Sequence, residues 1–311
     1  TDSSSSPPSS NPRDVDLRNA FVESAAIETF FLWDRYKKEK EKEKEDIEKN
    51  GQDTVAYTSS VEKDPQEELQ RGDIPDGFLR QMFYTLGDYR DILYSGDKEN
   101  GNKYMLVDDI KDISDKIKSI LNSDVGQKTT AKQWWDDNGQ HIWNGMIYAL
   151  TYNTDTPSGD KPTQIDEVRA QLWDEKEKKP KKTDNDHDYT YENVELKEDD
   201  DQSGAKTPSA SSGSNDPINN PQLSDFVEIP TYFRWLHEWG SDFCGTRKRM
   251  LGKIKHECRG DKVCSGYGEN CDDQLKDNPS IFPSLNCPSC GTPCRYYKKW
   301  INTKKTEYDK Q

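Results

Sequence analysis

Phe226-Val-Glu-Ile-Pro-Thr-Tyr-Phe-Arg-Trp-Leu-His-Glu-Trp-Gly-Ser-Asp-Phe-Cys244 and Cys287-Pro-Ser-Cys290-Gly-Thr-Pro-Cys294-Arg-Tyr-Tyr-Lys-Lys-Trp300 decide the fold. In the first segment, continued through a basic tract to Cys258, Tyr232, Leu236, Trp239, Phe243, Met250 and Ile254 recur at helical spacing. Pro230 suits a first turn. The second segment starts another helix at about Pro293 that runs past Trp300. All seven cysteines lie between 244 and 294. Together these features predict a cysteine-stapled helical hairpin from an oxidising compartment.

Cys258, Cys264, Cys271, Cys287, Cys290 and Cys294 cluster at the open end of this hairpin, and the sequence does not choose among their pairings. Cys244 lies about four turns back, roughly 21 Å along the helix axis at about 1.5 Å per residue. That is too far for a disulfide to the cluster. Its expected partner lies near the far end of the second helix, beyond Gln311. The competing reading is a zinc site, because Cys287-x2-Cys290-x3-Cys294 has ligand-like spacing and Cys258 or Cys271 would complete it. Cysteine density without clustered histidines favours disulfides, so the expectation is no metal and no cofactor.

Outside the hairpin the chain reads as further helices. Val22, Ala26, Phe30, Trp33 and Tyr36 form one face of a helix starting near Asp14, which runs on into an alternating Lys/Glu tract from Lys37. Residues 50–70 read as a loop. Phe78, Met82, Leu86, Tyr89 and Leu93 line a second helix starting near Ile74-Pro75-Asp76, and Leu106, Ile110, Ile113, Ile117 and Ile120 a third. Thr130-Ala-Lys-Gln133 is a capping box opening a fourth, with Trp135, Ile142, Met146 and Ala149 inward. Ile165, Val168 and Leu172 mark a shorter one. Strand-like alternation is nearly absent. The predicted fold is all-α: a helical bundle and a disulfide-linked two-helix hairpin, with long disordered insertions. The expected divisions are a linker at 1–13, the bundle at 14–175, an acidic disordered loop at 176–225 and the hairpin at 226–311.

Composition limits function. Only 30% of residues are hydrophobic and 33% are charged, so much of the chain lies outside any core. The net charge of −15 argues against nucleic acid as a partner. The charge is uneven: residues 154–225 carry 18 acidic and 9 basic side chains, whereas 226–311 carry 11 and 15. Arg247, Lys248, Arg249, Lys253, Lys255 and Arg259, with His256, form a basic tract on the hairpin. It is either a solvated helix face with cations near a C-terminus or a patch for a sulfated glycan or acidic receptor. No apolar run is long enough to span a bilayer, so no direct membrane contact is expected from this segment. No catalytic triad, carboxylate pair or phosphate loop stands out, and the expectation is a protein that is not an enzyme. The chain contains no Asn-x-Ser/Thr sequon.

Five blocks carry a resemblance: Phe21 to Trp33, Ile74 to Asp91, Trp134 to Leu150, Pro230 to Cys244, and Cys290-Gly-Thr-Pro-Cys294 leading into Tyr297-Lys-Lys-Trp-Ile301. In this order they resemble a Duffy-binding-like domain of the erythrocyte membrane protein 1 family of malaria parasites. That resemblance implies an irregular first subdomain, a helical bundle and a two-helix cysteine-rich hairpin; this chain matches the second and third. It implies an adhesion module of a variant surface antigen, displayed on the extracellular face of the infected erythrocyte. Its partners would be a host cell-surface receptor, such as an intercellular adhesion molecule or a sulfated glycan, and neighbouring domains of the same adhesin. The alternative is a structural spacer and antigenic segment whose neighbours do the binding. Sparing N-glycosylation in that family accounts for the missing sequons.

Overall fold

The computed structural model describes residues 12–49, 64–94, 108–122, 129–157, 159–196, 221–259, 268, 270–271 and 287–310. The described chain is mostly helical. It forms two compact units, Thr1–Ile47 with Glu62–Arg234 and Glu48–Val61 with Trp235–Gln311. Among the described residues no helix is long and apolar enough to cross a membrane.

The first unit begins with α1 (Pro12–Lys49). Its buried line is Leu17, Phe21, Ala25, Thr29, Trp33 and Tyr36. The expected line through Val22, Ala26 and Phe30 is one position out of phase, and those three are only half-buried. Several apolar residues compete for the core on this helix, and Ile27 and Phe31 remain exposed. The buried Thr29 hydroxyl donates to Ala25 O at 2.8 Å, which satisfies its only polar group.

Residues 65–70, expected as part of a loop, form α2 (Pro65–Gln70). Asp64 caps it, accepting from Gln66 N at 2.7 Å and Glu67 N at 3.3 Å, and Pro65 occupies the first turn. Leu69 is then fully buried. The central helix is α3 (Asp76–Tyr94), in which Met82 to Gly87 are consecutively buried. Such a run means that the helix is covered on all sides. Phe83 meets Trp143 and Phe226 edge-to-face at 5.8 and 5.5 Å.

α4 (Asp108–Leu121) turns Ser114, Ile117 and Leu121 inward. Ile120 is half-buried and Ile113 points out; Leu106 and the Ile110 side chain lie outside the described residues. α5 (Ala131–Ala149) starts at the expected capping box, with Thr130 Oγ1 accepting from Gln133 N and Gln133 Oε1 accepting from Thr130 N, both at 3.1 Å. It buries Trp134, Trp135, Ile142, Trp143 and Met146. Gly145 lets α5 approach α1: a Cβ there would lie 2.8 Å from Val22 Cγ1. Gly145→Ala is expected to cost about 1–3 kcal/mol through overpacking. Urea denaturation checks this, and Val22→Ala in the same chain should restore most of the loss.

α6 (Asp166–Leu172) leads into an antiparallel pair of short strands, β1 (Trp173–Asp174) and β2 (Lys179–Pro180). In the connecting turn Asp174 Oδ1 accepts from Lys176 N and Glu177 N at 2.8 and 3.0 Å. Glu175 accepts from Arg169 at 2.5 Å and from Lys178 at 2.8 Å. These bonds, Arg169 first, push the Glu175 carboxyl down to about 2. A depressed carboxylate stabilises this turn fully above the ordinary glutamate range, and the contribution is lost as pH falls towards the folded value. A carboxyl NMR titration should place the Glu175 midpoint at about 2, well below an ordinary glutamate.

The expected disordered loop at 176–225 is corrected over 176–196. Tyr189, Val194 and Leu196 belong to the main core. Trp143 Nε1 donates to Tyr189 O, and Ile74 N donates to the Tyr189 hydroxyl, both at 2.8 Å. The segment's polar residues satisfy its backbone locally, as where Asp188 Oδ1 accepts from Thr190 N at 3.0 Å. A few apolar anchors then suffice. The loop expectation is also corrected at 221–225, where Leu223 opens a further helix, and the linker expectation at Pro12 and Arg13, which belong to α1; residues 1–11 and 197–220 lie outside the described residues.

Phe226 and Pro230, at the start of the first quoted segment, fall on different sides of a helix break. α7 (Leu223–Glu228) buries Leu223, Phe226 and Val227, and α8 (Thr231–Arg259) starts afresh. Ile229 has ψ 131°, the extended backbone that a following proline imposes. The unit boundary falls inside α8, after Arg234, rather than at Phe226. Arg234 is 2% exposed and tied to the first unit. It donates to Val227 O, Ile229 O, Gly87 O and Asp91 Oδ2.

The second unit contains the rest of α8 and α9 (Pro288–Tyr308), which begins at Pro288 and carries Pro293 inside it. The helices run antiparallel, because Trp239 meets Tyr308, Phe243 meets Trp300 and Cys258 joins Cys290. Leu236, Trp239, Phe243, Met250 and Ile254 are half-buried, while Tyr232, in the first unit, is 37% exposed. Stacked rings therefore hold this hairpin: Trp239 on Phe243 at 5.3 Å and Phe243 on Trp300 at 5.1 Å. Trp239 Nε1 donates to Glu307 Oε2 at 3.0 Å. Lys304 bridges Glu307 and Asp242 at 3.0 and 3.5 Å.

Candidate functional site

The cysteines fix where the basic tract sits. Cys258, on the last turn of α8, is disulfide-bonded to Cys290 on the first turn of α9, with Cα atoms 4.6 Å apart. Cys271 is bonded to Cys294. Cys287 is also disulfide-bonded. Cys264 lies outside the described residues, and Cys244 is an exposed free thiol on α8. The zinc-like group of Cys258, Cys290 and Cys294 has its sulfurs within 4.8 Å of one another. Each of these sulfurs is already in a disulfide, so none is a thiolate ligand here.

Between the aromatic stack and this staple, Arg247, Lys248, Arg249, Lys253, Lys255 and Arg259 are all exposed. They do not form one patch. At roughly 100° per residue, Lys248, Lys255 and Arg259 share one row. Arg249 and Lys253 form a second row, further around the helix. Arg247 falls in line with Ile254 and Cys258, at the edge of the packed side. His256 and Arg259 occupy the last turn, where cations favour the helix C-terminus.

α9 adds cations that the basic-tract reading did not include. Arg295, Lys298, Lys299 and Lys305 are exposed. One face of α9, through Thr292, Arg295, Tyr296, Lys299, Asn302, Thr303 and Thr306, is exposed throughout and carries no carboxylate. Tyr296 on it is 64% exposed. The sequence signal was the Cys294-Arg-Tyr-Tyr-Lys-Lys run itself. The described residues of the second unit from Trp235 onward hold twelve Lys and Arg against five Asp and Glu. Both helices thus present positive potential on a rigid, cross-linked frame. Such a surface attracts polyanions and speeds their encounter.

The first unit differs in sign. A cleft of about 350 Å³ is floored by Leu79, Tyr189 and Val194 and rimmed by Asp76, Asp188 and Glu195. His187 in its wall stacks on Tyr189 at 5.9 Å and lies 3.3 Å from Asp73 Oδ1. The His141 imidazole is held below its ordinary value by burial and then by Arg18.

The chain thus combines a polar helical bundle with a cysteine-stapled basic hairpin. Models of two families match it: the Duffy binding domain over residues 2–227, and the C-terminal subdomain of the Duffy-binding-like domain over 238–311. The chain belongs to the Duffy binding domain family. Among its relatives are the Duffy receptor of Plasmodium vivax (strain Salvador I), 21% identical over 255 residues, and the Duffy receptor alpha form of Plasmodium knowlesi, 22% identical over 255. Each alignment covers 82% of this chain and 16% of the relative. The Duffy receptor gamma form of Plasmodium knowlesi is 21% identical over 234 residues, 75% of this chain and 14% of that protein. The chain therefore spans about one-sixth of the length of these relatives. No solved structure matches it.

Proposed function

We propose that this chain is the binding portion of a malaria-parasite adhesin, engaging a receptor on host cells rather than catalysing a reaction. Membership of the Duffy binding domain family carries this reading. The relatives carry the name Duffy receptor, which supports a receptor-recognition role for this chain. The resemblance of the five sequence blocks supports a finer reading, the erythrocyte membrane protein 1 group of variant antigens. Its function there is cytoadherence from the outer face of the infected red cell. The partner class favoured by the second unit is a sulfated glycan, because its exposed cations line up on α8 and α9.

The test is binding of the disulfide-intact chain to heparan-type glycans and to endothelial receptor ectodomains. Charge reversal of the Lys248, Lys255, Arg259 row to Glu is expected to weaken glycan binding at least tenfold at about 0.15 M salt. It should leave the thermal unfolding of the chain unchanged within about 1 kcal/mol, since surface charges contribute little to stability. Glycan binding that survives this reversal removes the α8 row from the contact. Failure of the folded chain to bind either receptor class favours the spacer reading.

A further inference from the structure

We propose that the disulfide cluster of the second unit is an exchange relay, in which Cys294 passes reduction from the accessible Cys271–Cys294 bond to the buried Cys258–Cys290 bond while α8 and α9 stay cross-linked. Four sulfurs meet at the junction of the two helices. Cys294 Sγ lies 3.7 Å from Cys258 Sγ and 3.9 Å from Cys290 Sγ. Cys290 and Cys294 are one helical turn apart on α9, so both side chains are presented to Cys258 on α8. Cys258 therefore has two candidate partners in reach, and the disulfide takes one of them.

Burial sets the order of events. Cys258, Cys290 and Cys294 are 2%, 0% and 1% exposed, whereas Cys271 is half-buried. Thiol–disulfide exchange needs access of the attacking thiolate to one sulfur, so Cys271 is where an external thiol enters. A low-molecular-weight thiolate attacks Cys271 Sγ, forms a mixed disulfide with it, and releases Cys294 as a thiolate. Cys294 lies nearly equidistant from both sulfurs of the Cys258–Cys290 bond, and hence beside it. Release from Cys271 frees the χ1 rotation that brings it in line. Attack on Cys258 Sγ forms Cys258–Cys294, breaks Cys258–Cys290 and leaves Cys290 as the thiolate. The bonds and electrons balance: one disulfide is consumed and one mixed disulfide formed, while the inner bond only changes partner. Attack on Cys258 is preferred to attack on Cys290. Cys290 and Cys294 lie on one helix with parallel Cα–Cβ directions, which suits a disulfide poorly. The helix staple thus survives, and only Cys271 is released.

The experiment treats the native chain briefly with reduced glutathione, quenches it with acid and N-ethylmaleimide, and maps linkages by mass spectrometry without further reduction. The expected early species carries glutathione on Cys271 and the maleimide on Cys290, with Cys258–Cys294 replacing Cys258–Cys290. Maleimide on Cys294 with Cys258–Cys290 intact overturns the relay. Maleimide on Cys258 also overturns it, because the staple would then be cut. A second arm uses Cys271→Ser, in which Cys294 has no partner from the outset. That chain is expected to contain both Cys258–Cys290 and Cys258–Cys294 isomers, interconverting at least tenfold faster at pH 8 than at pH 5 because the thiolate is the attacking form. Cys258–Cys290 alone at both pH values refutes the proposal.

Discussion

Replacement of Arg234 by Met is expected to destabilise the first unit by about 3–5 kcal/mol, the cost of removing one partner from a buried ion pair. For a unit of this size that is a fall of roughly 6–20 °C in its melting temperature. The side chain of Arg234 is 1% exposed and that of Asp91 13%, so solvent does little to screen the pair. The guanidinium binds Asp91 Oδ2 and three carbonyl oxygens, those of Gly87, Val227 and Ile229. Met fills a similar volume but takes the guanidinium donors away from Asp91 Oδ2 and the three carbonyls in a buried site, while Asp91 Oδ1 keeps its bond from the Thr231 hydroxyl. Lys should recover only part of the loss, because a point charge cannot reach four acceptors arranged for a planar fork. The same contact explains Gly87: a Cβ there would lie 2.7 Å from Arg234 Nε. Differential scanning calorimetry of Arg234→Met, Asp91→Leu and the double variant separates the pair from the packing. The double variant should be less damaged than the sum of the singles, since it leaves no buried charge behind. Additive losses would show that the pair is not coupled.

Loss of the Cys258–Cys290 staple ranks with it. The double substitution Cys258→Ser and Cys290→Ser leaves no orphan thiol from that bond. The bond joins residues 32 apart in sequence, and closing a loop of that length contributes about 4 kcal/mol in the chain-entropy description. Among the described residues, the helices of the second unit meet through half-buried rings and the Lys304 ion pairs, with fully buried side chains concentrated at the cysteines. The expected result is that the hairpin melts separately and earlier, while the first unit retains its transition. Near-ultraviolet circular dichroism of the Trp239–Phe243–Trp300 stack reports the one, and far-ultraviolet ellipticity the bundle. An unchanged aromatic signal at 37 °C would show that the rings alone hold the hairpin. Glycan binding should weaken with it, because the α8 and α9 cations would no longer be held in place.

Much of this was written in periodicity. The Thr130–Gln133 capping box and the α3 stripe are local signals, fixed by residues a few positions apart; the box is as expected, and of the stripe Phe78, Met82, Leu86 and Leu93 are buried while Tyr89 is half-buried. The phase of α1 was not legible, because Val22 and Phe21, or Ala26 and Ala25, are equally apolar and only the neighbouring helices select between them. The ordered part of the acidic loop was missed for a related reason. Its composition is that of a solvated segment, and three anchors, Tyr189, Val194 and Leu196, hold it to a core assembled from distant residues. The start of α8 had a signal in Pro230, whose fit to a first turn is as expected. Of the basic tract, the residue types were plain, but their division into two rows plus an outlying Arg247 follows from helix geometry, and the Arg295, Lys298 and Lys299 contribution depends on which side of α9 faces solvent.

The sequence by itself determined the class of fold, most of the long helices, the charge contrast between the two halves and the Duffy-binding-like character, because each rests on residue type, spacing and order along one chain. The tertiary structure alone decided which faces are buried, that Arg234 is an internal anchor rather than a surface cation, and that Cys258 pairs with Cys290 while Cys294 lies within 4 Å of both sulfurs. Those outcomes depend on groups far apart in sequence competing for the same space, and such competition is settled only when the helices pack.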